Sequence, residues 1–275
     1  RRGELTVLSG PTGAGKTTLL CQLSLDFAEQ NVNTLWGSFE IKNTRLIQKL
    51  LQQFSRHPLP NPGHPRIRSA LNALADRFET LPLYFLKFHG GSDIDDVLDA
   101  MDYATYVHDV EHIILDNMQF MLTRQNSKDK FDVQDVAIEK FRRFATERNV
   151  HVTLVVHPRK EDEGVKLSIS SIYGSAKATQ EADTVILLQN EAKRKYIEVK
   201  KNRFDGTTGI CNLFFQKESG RYGETPEPGI DAGQYYNDKD NNGNGNDGAG
   251  VKNTEKGSSS GIMESVGHIP EPVKP

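Results

Sequence analysis

The stretch "ELTVLSGPTGAGKTTLL", residues 4–20, opens on a short apolar run and passes through three glycines into leucines on a helical repeat. Inside it, "GPTGAGKTT", residues 10–18, fills every position of G-x-x-x-x-G-K-[ST]. A strand before it and a helix after it are the context that gives this motif its meaning. The expected nucleotide-binding loop is Gly10, Pro11, Thr12, Gly13, Ala14, Gly15, Lys16, Thr17 and Thr18. Its glycines let successive backbone N–H groups curl around phosphate oxygens, and the helix N-terminus adds partial positive charge. Lys16 is placed to reach the terminal phosphates and the Thr17 hydroxyl to hold Mg²⁺. A loop of this kind binds a nucleoside triphosphate, so ATP and Mg²⁺ are the expected cofactors.

Outward from this loop the strand and helix signals alternate. Apolar runs of strand type are "ELTVLS", "NTLWGSF", "LYFLKF", "HIILD", "VHVTLVV", "TVILLQ", "KYIEVK" and "ICNLFF". Between the earlier ones, residues 17–30, 94–107 and 133–147 carry apolar side chains every three or four positions, which predicts helices. Strand–helix–strand over a long span means parallel strands with crossovers, covered on both faces. After Asp183 only strands and turns remain, so the sheet is expected to finish in antiparallel hairpins. The fold class is therefore α/β, a mostly parallel central sheet flanked by helices. "SRHPLPNPGHPRIRS", with four prolines, reads as a surface connection, and "HPRKEDEGVKLSIS" as a long, charged, flexible loop.

Composition bounds the rest. Of 275 residues, 36% are hydrophobic. From Thr225 onward there are eight acids against four bases, in a background of Gly, Asn, Ser and Pro. Such a segment buries too little apolar surface to offset its ordering entropy, so two regions are expected: an ordered domain over 1–224 and a disordered tail over 225–275. Removing the tail's net −4 from the whole-chain −3 leaves the body near +1, which excludes no partner class. Cys21 and Cys211 lie in apolar runs without metal spacing and are expected to be buried free thiols. No apolar run approaches a membrane span. The chain starts on a strand without an initiator Met, as a piece of a longer protein would, leaving any targeting segment upstream.

Open parallel sheets place their sites at the C-terminal ends of the strands. There, Asp116 closes "HIILD" and is expected to hold Mg²⁺ with Thr17. Asn117 beside it reads either as a site contact or as a turn residue. Glu40 closes "TLWGSFE", taken as the strand beside the phosphate-loop strand, and would orient and deprotonate an attacking water. His157, after a further strand, is placed to sense the γ-phosphate. Lys201 and Arg203, in "VKKNRFDGTTG", project together from a strand near the sheet edge. Cations there suit a neighbouring subunit's γ-phosphate, as an arginine finger acting in trans.

In this order, the phosphate loop, "SFE", "IILDN", "VVHPRKE", "GSAKATQEAD" and "KNRFDGTTG" resemble the RecA-like hexameric replicative helicases of the DnaB type. Within that group the chain is most similar to the mitochondrial members and their phage primase–helicase relatives. The likeness spans about residues 1–222. It implies a RecA-like P-loop NTPase core, Glu40 as catalytic base, His157 as γ-phosphate sensor, and Arg203 with Lys201 as the trans pair. It also implies a central-channel DNA loop with Arg159, Lys160 and Lys166, joined by the turn at Gly174 and Ser175; Lys177 is a weaker addition. A second DNA contact is expected at Arg124 and Lys128. The implied activity is ATP-driven 5′–3′ unwinding of DNA by a hexameric or heptameric ring acting on single-stranded and forked substrates, in mitochondria. The alternatives are a RecA-like recombinase or strand-annealing ATPase, a loading ATPase that never unwinds, and a nucleotide kinase.

Overall fold

The computed structural model describes residues 1–225 except 62, 64, 89–90, 123–129, 160–164, 173–174, 192–193 and 224. They belong to one compact unit, Arg1–Asp240. The strands are β1 (Leu5–Ser9), β2 (Thr34–Ser38), β3 (Leu83–Phe85), β4 (His112–Asp116), β5 (His151–Val155), β6 (Thr184–Glu191), β7 (Arg194–Asn202), β8 (Gly209–Gln216) and β9 (Arg221–Gly223). The helices are α1 (Lys16–Ala28), α2 (Asn43–Ser55), α3 (Pro65–Glu79), α4 (Ile94–His108), α5 (Met118–Met121), α6 (Lys130–Arg148) and α7 (Ser175–Glu181).

One nine-stranded sheet runs in the order β3-β2-β4-β5-β1-β6-β7-β8-β9. The β1–β6 strands are mutually parallel where they pair, and β6 through β9 are joined antiparallel. Parallel strands covered on both faces need continuous apolar runs, and β1, β2 and β4 are buried at all five positions. Alternate residues feed two cores. Leu5, Val7, Leu35, Ile113 and Leu115 pack with α4, α6 and α7, while Leu8, Trp36 and Ile114 pack with α1, α2 and α3. The buried Trp36 indole still needs a polar partner, and it donates to Ser24 Oγ at 3.0 Å. Among the described residues no helix is long and apolar enough to cross a membrane.

Four expectations change. Glu40's strand does not adjoin the phosphate-loop strand: β4 and β5 lie between β2 and β1. β7 is not an edge strand, being paired on both sides by β6 and β8. The proline-rich connection ends earlier than its composition implied, because Pro65 begins α3, a first-turn position that costs no hydrogen bond. Cys211 is exposed rather than buried, because the β8 segment from Gly209 to Asn212 presents itself to solvent; Cys21 is buried, and both thiols are free. Burial holds the Cys21 thiol well above its ordinary pKa, which keeps it protonated and inert. The short β9 was not anticipated. The tail expectation lies, beyond Thr225, outside the described residues.

Candidate active site

The phosphate loop turns where its glycines allow it. Gly13 and Gly15 have φ of 76° and 98°, in the left-handed region, and Gly15 caps α1. Gly10 packs on β6: a Cβ there would meet Leu188 O at 2.7 Å. The Lys16 ammonium folds back on the loop, donating to Gly10 O at 2.7 Å and Pro11 O at 3.0 Å. Burial lowers its pKa, and Asp116 and Glu40 offset part of that effect.

At the same end of the sheet the strand termini converge. Thr17 Oγ1 donates to Asp116 Oδ2 at 2.6 Å. Burial pushes the Asp116 carboxyl up to about 6, against the Thr17 hydrogen bond, which lowers it. Glu40 reaches this point although β2 lies three strands from β1. Phe39 N bonds Asp116 O at 2.8 Å, so the bend after β2 leans over the end of β4. Asn117 Nδ2 then donates to Glu40 Oε2 at 2.5 Å and lies 2.8 Å from His157 Nε2. His157 Nε2 is 3.6 Å from Glu40 Oε2. Burial first, then the Lys16 charge, lowers the His157 pKa, so the imidazole is neutral near pH 7. Asn117 is both things the sequence offered: its Oδ1 caps α5 by accepting from Phe120 N at 3.0 Å, and its amide joins Glu40 to His157. Gln119 steadies this position by accepting from His157 N at 3.0 Å.

Lys201 and Arg203 do sit together, but at the opposite end of the sheet from the phosphate loop. Arg203 N bonds Asp183 O, and Asp183 carries the start of β1 by accepting from Leu5 N at 2.8 Å. The Lys201 ammonium donates to Thr179 O at 2.5 Å and Ala182 O at 2.7 Å, around the C-terminal end of α7. Burial and the neighbouring Arg203 charge lower its pKa. Arg203 pairs with Asp183 at 3.5 Å and with Gln180 O, its side chain about half exposed.

Of the expected DNA-loop residues, Arg159 is exposed, its backbone held by Ser171 O at 2.7 Å. Lys166 lies 3.6 Å from Glu198, whose charge raises its pKa. Next to it, the buried Gln189 side chain bonds both backbone groups of Leu167, at 3.0 and 2.8 Å. The described parts of this loop are thus pinned rather than free. Lys177 is taken up by Glu139 and Glu181. Ser175 opens α7, whereas Lys160, Gly174, Arg124 and Lys128 lie outside the described residues.

The sequence reading missed residues from the far C-terminal strands that reach this site. Tyr222 of β9 places its hydroxyl 3.3 Å from Ala14 O, inside the phosphate loop, and Lys195 of β7 lies 3.5 Å from that hydroxyl. Three isolated residues, "RYG", carry no periodic signal that could have placed them there.

Comparison with known proteins agrees with this architecture. A solved structure of an isolated ATPase domain superposes with a TM-score of 0.70 at 14% identity, over 81% of this chain and 85% of that one. A DnaB-like replicative helicase, described with its interactions with primase, gives 0.69 at 15% identity over 81% of this chain. This chain spans 57% of that helicase. At such identities the likeness is one of fold, and the fold is the RecA-like P-loop NTPase core of helicase ATPase domains. Residues 1–163 match the AAA domain family. That match takes in the phosphate loop, Glu40, Asp116 and His157, and with more than half of its length covered the chain belongs to the AAA domain family.

Proposed function

We propose that the chain is the ATP-hydrolysing motor domain of a replicative DNA helicase, of the kind represented by the mitochondrial helicase Twinkle. It would work as a hexameric or heptameric ring, moving 5′ to 3′ on single-stranded DNA and opening forked duplexes in the mitochondrial matrix. One observation carries the reading: Lys16, Thr17, Asp116, Glu40, Asn117 and His157 converge at one end of the sheet, Thr17 bonded to Asp116, and Asn117 bonded to Glu40 and His157.

On this reading the loop amides and Lys16 hold the triphosphate. Thr17 and Asp116, hard oxygen donors 2.6 Å apart, fit a divalent cation, and they would hold Mg²⁺. Bound there, Mg²⁺ supplies Lewis-acid polarisation of phosphate oxygens. Glu40 accepts the proton of the attacking water, a contribution of roughly 10²–10⁴-fold. Its Oε2 already accepts from Asn117, which fixes the carboxylate while leaving Oε1 for the water. Neutral His157 registers loss of the γ-phosphate and passes it to the loop carrying Arg159 and Lys166. These two cations track the DNA backbone without reading bases.

The test is ATP hydrolysis with and without single-stranded DNA, followed by unwinding of a forked duplex. Stimulation by DNA together with unwinding is expected, both abolished by Lys16→Ala. Hydrolysis indifferent to DNA returns the kinase reading, and stimulation without unwinding returns a recombinase, annealing or loading ATPase.

A further inference from the structure

We propose that Tyr222 is a positioning residue for the phosphate loop, and that β9 is thereby part of the nucleotide site. The inference rests on the nucleotide-binding reading above and adds a residue to it. Lys195 presents an ammonium 3.5 Å from the Tyr222 hydroxyl, and an ammonium has only donors to offer. The phenolic oxygen must accept from it, which leaves the hydroxyl hydrogen for Ala14 O, 3.3 Å away. The peptide between Ala14 and Gly15 is planar and trans, so its C=O and N–H point in opposite directions. Holding the carbonyl toward Tyr222 therefore turns the Gly15 N–H away from it, into the turn of the loop where phosphate oxygens bind.

Residue 15 is glycine for two reasons, one of them this phenol. Its φ of 98° already disfavours a side chain, and a Cβ would lie 2.0 Å from the Tyr222 hydroxyl oxygen. Tyr222 is in turn held by the helix that the loop feeds. Gln22 donates to Tyr222 O at 3.0 Å and accepts from Tyr222 N at 2.7 Å. One helical turn on, Asp26 pairs with Arg221 at 2.6 Å. The ring packs edge-on to Phe215, centroids 5.5 Å apart, in a small core with Ala14, Leu19, Leu188 and Leu213. A loop whose amides must all face one way is thus braced from outside by a strand about two hundred residues later, docked along its own helix.

Tyr222→Phe keeps the ring and removes the hydroxyl. ADP affinity, measured by titration with Mg²⁺ present, should fall about three- to tenfold, the range of one net hydrogen bond. Turnover at saturating ATP should stay within about twofold, and the ligand-free melting temperature should fall by no more than the few degrees that one hydrogen bond is worth. Gln22→Ala, which loosens the Tyr222 backbone from α1 but keeps the hydroxyl, should weaken ADP similarly. The double variant should be no worse than the poorer single one, because both act through one contact. Wild-type affinity in Tyr222→Phe, losses that add in the double variant, or equal falls in kcat and melting temperature would each overturn the proposal. A wild-type protein that binds no ADP would instead overturn the nucleotide reading beneath it.

Discussion

The Thr17 hydroxyl donates to the Asp116 carboxylate at 2.6 Å, joining the first residues of α1 to the last residue of β4. If this pair holds Mg²⁺, a proton and the cation compete for Asp116. Burial pushes that carboxyl up to about 6, so the proton begins to win as pH falls through that value. Mg²⁺-dependent nucleotide affinity should be level above pH 7 and weaken toward tenfold per pH unit below about 6. Asp116→Asn should lose the Mg²⁺ dependence while retaining metal-free ADP binding. An affinity that stays flat from pH 7 to 5 would place the cation elsewhere.

Glu40→Gln should separate binding from chemistry. The amide is nearly isosteric and can still meet Asn117, but it cannot take a proton from water. Turnover should drop roughly 10²–10⁴-fold with ATP affinity within a few-fold of wild type. Asn117→Ala should cost less, because it frees the carboxylate from a 2.5 Å contact without removing the base. Unchanged hydrolysis in Glu40→Gln would mean that the base is another residue.

How much of this was legible in the sequence depends on how local each signal is. The phosphate loop was fully readable, because its glycines, lysine and threonine act within nine consecutive residues. Asp116, Glu40 and His157 were readable one at a time, as polar residues at or just past the ends of buried strands. That they share one end of the sheet was also readable; their joining through Asn117 was not, because strand order is set by packing between distant segments. β2 was assigned to the wrong neighbour, and only the bend at Phe39 brings Glu40 back over β4. Tyr222 was invisible because its role depends on a carbonyl at Ala14 and a helix face at Gln22, neither of which leaves a mark near "RYG". Cys211 looked buried because "ICNLFF" is apolar, yet its first half stands exposed.

His112 sets an acid limit on the fold. It is buried at the start of β4, edge-on to Phe27 and 2.9 Å from Thr153 Oγ1, and among the described residues its Nδ1 meets no hydrogen-bond partner. Burial, with smaller contributions from His151 and the amino terminus, pushes its pKa down to about 3. The unfolded chain therefore takes up this proton first, and stability falls as pH drops below the ordinary histidine value of about 6.5. Between pH 7 and 5 the loss should be about 2 kcal/mol, read from chemical unfolding at the two pH values. His112→Gln should flatten that limb by about one proton. An equally steep limb in the variant would assign it to other groups.

The two described cations of the proposed DNA loop should differ in weight. Arg159 is exposed, whereas Lys166 already has Glu198 at 3.6 Å. Arg159→Ala should weaken single-strand binding uniformly across sequences and lower the salt slope by about one. Lys166→Ala should do less, since part of its charge is already balanced. Binding that ignores both changes would move the DNA path off this loop.

Arg203 gives the sharpest test of assembly, because its own phosphate loop is out of reach. It stands beside Asp183 at the start of β1, and the loop begins where that five-residue strand ends, about 17 Å away at ~3.3 Å per residue. Any action on a γ-phosphate must therefore fall on a neighbouring subunit, where a finger is worth about 10³–10⁵ in rate. Arg203→Ala should lose turnover while binding ADP normally, and Lys16→Ala should lose both. Mixed, the two inactive proteins should recover activity. At one interface in the mixed ring an intact loop from an Arg203→Ala subunit meets an intact Arg203 from a Lys16→Ala subunit, so turnover should peak at intermediate ratios. A mixture as inactive as its parts, in rings shown by mass to have co-assembled, would confine Arg203 to its contacts with Asp183 and Gln180.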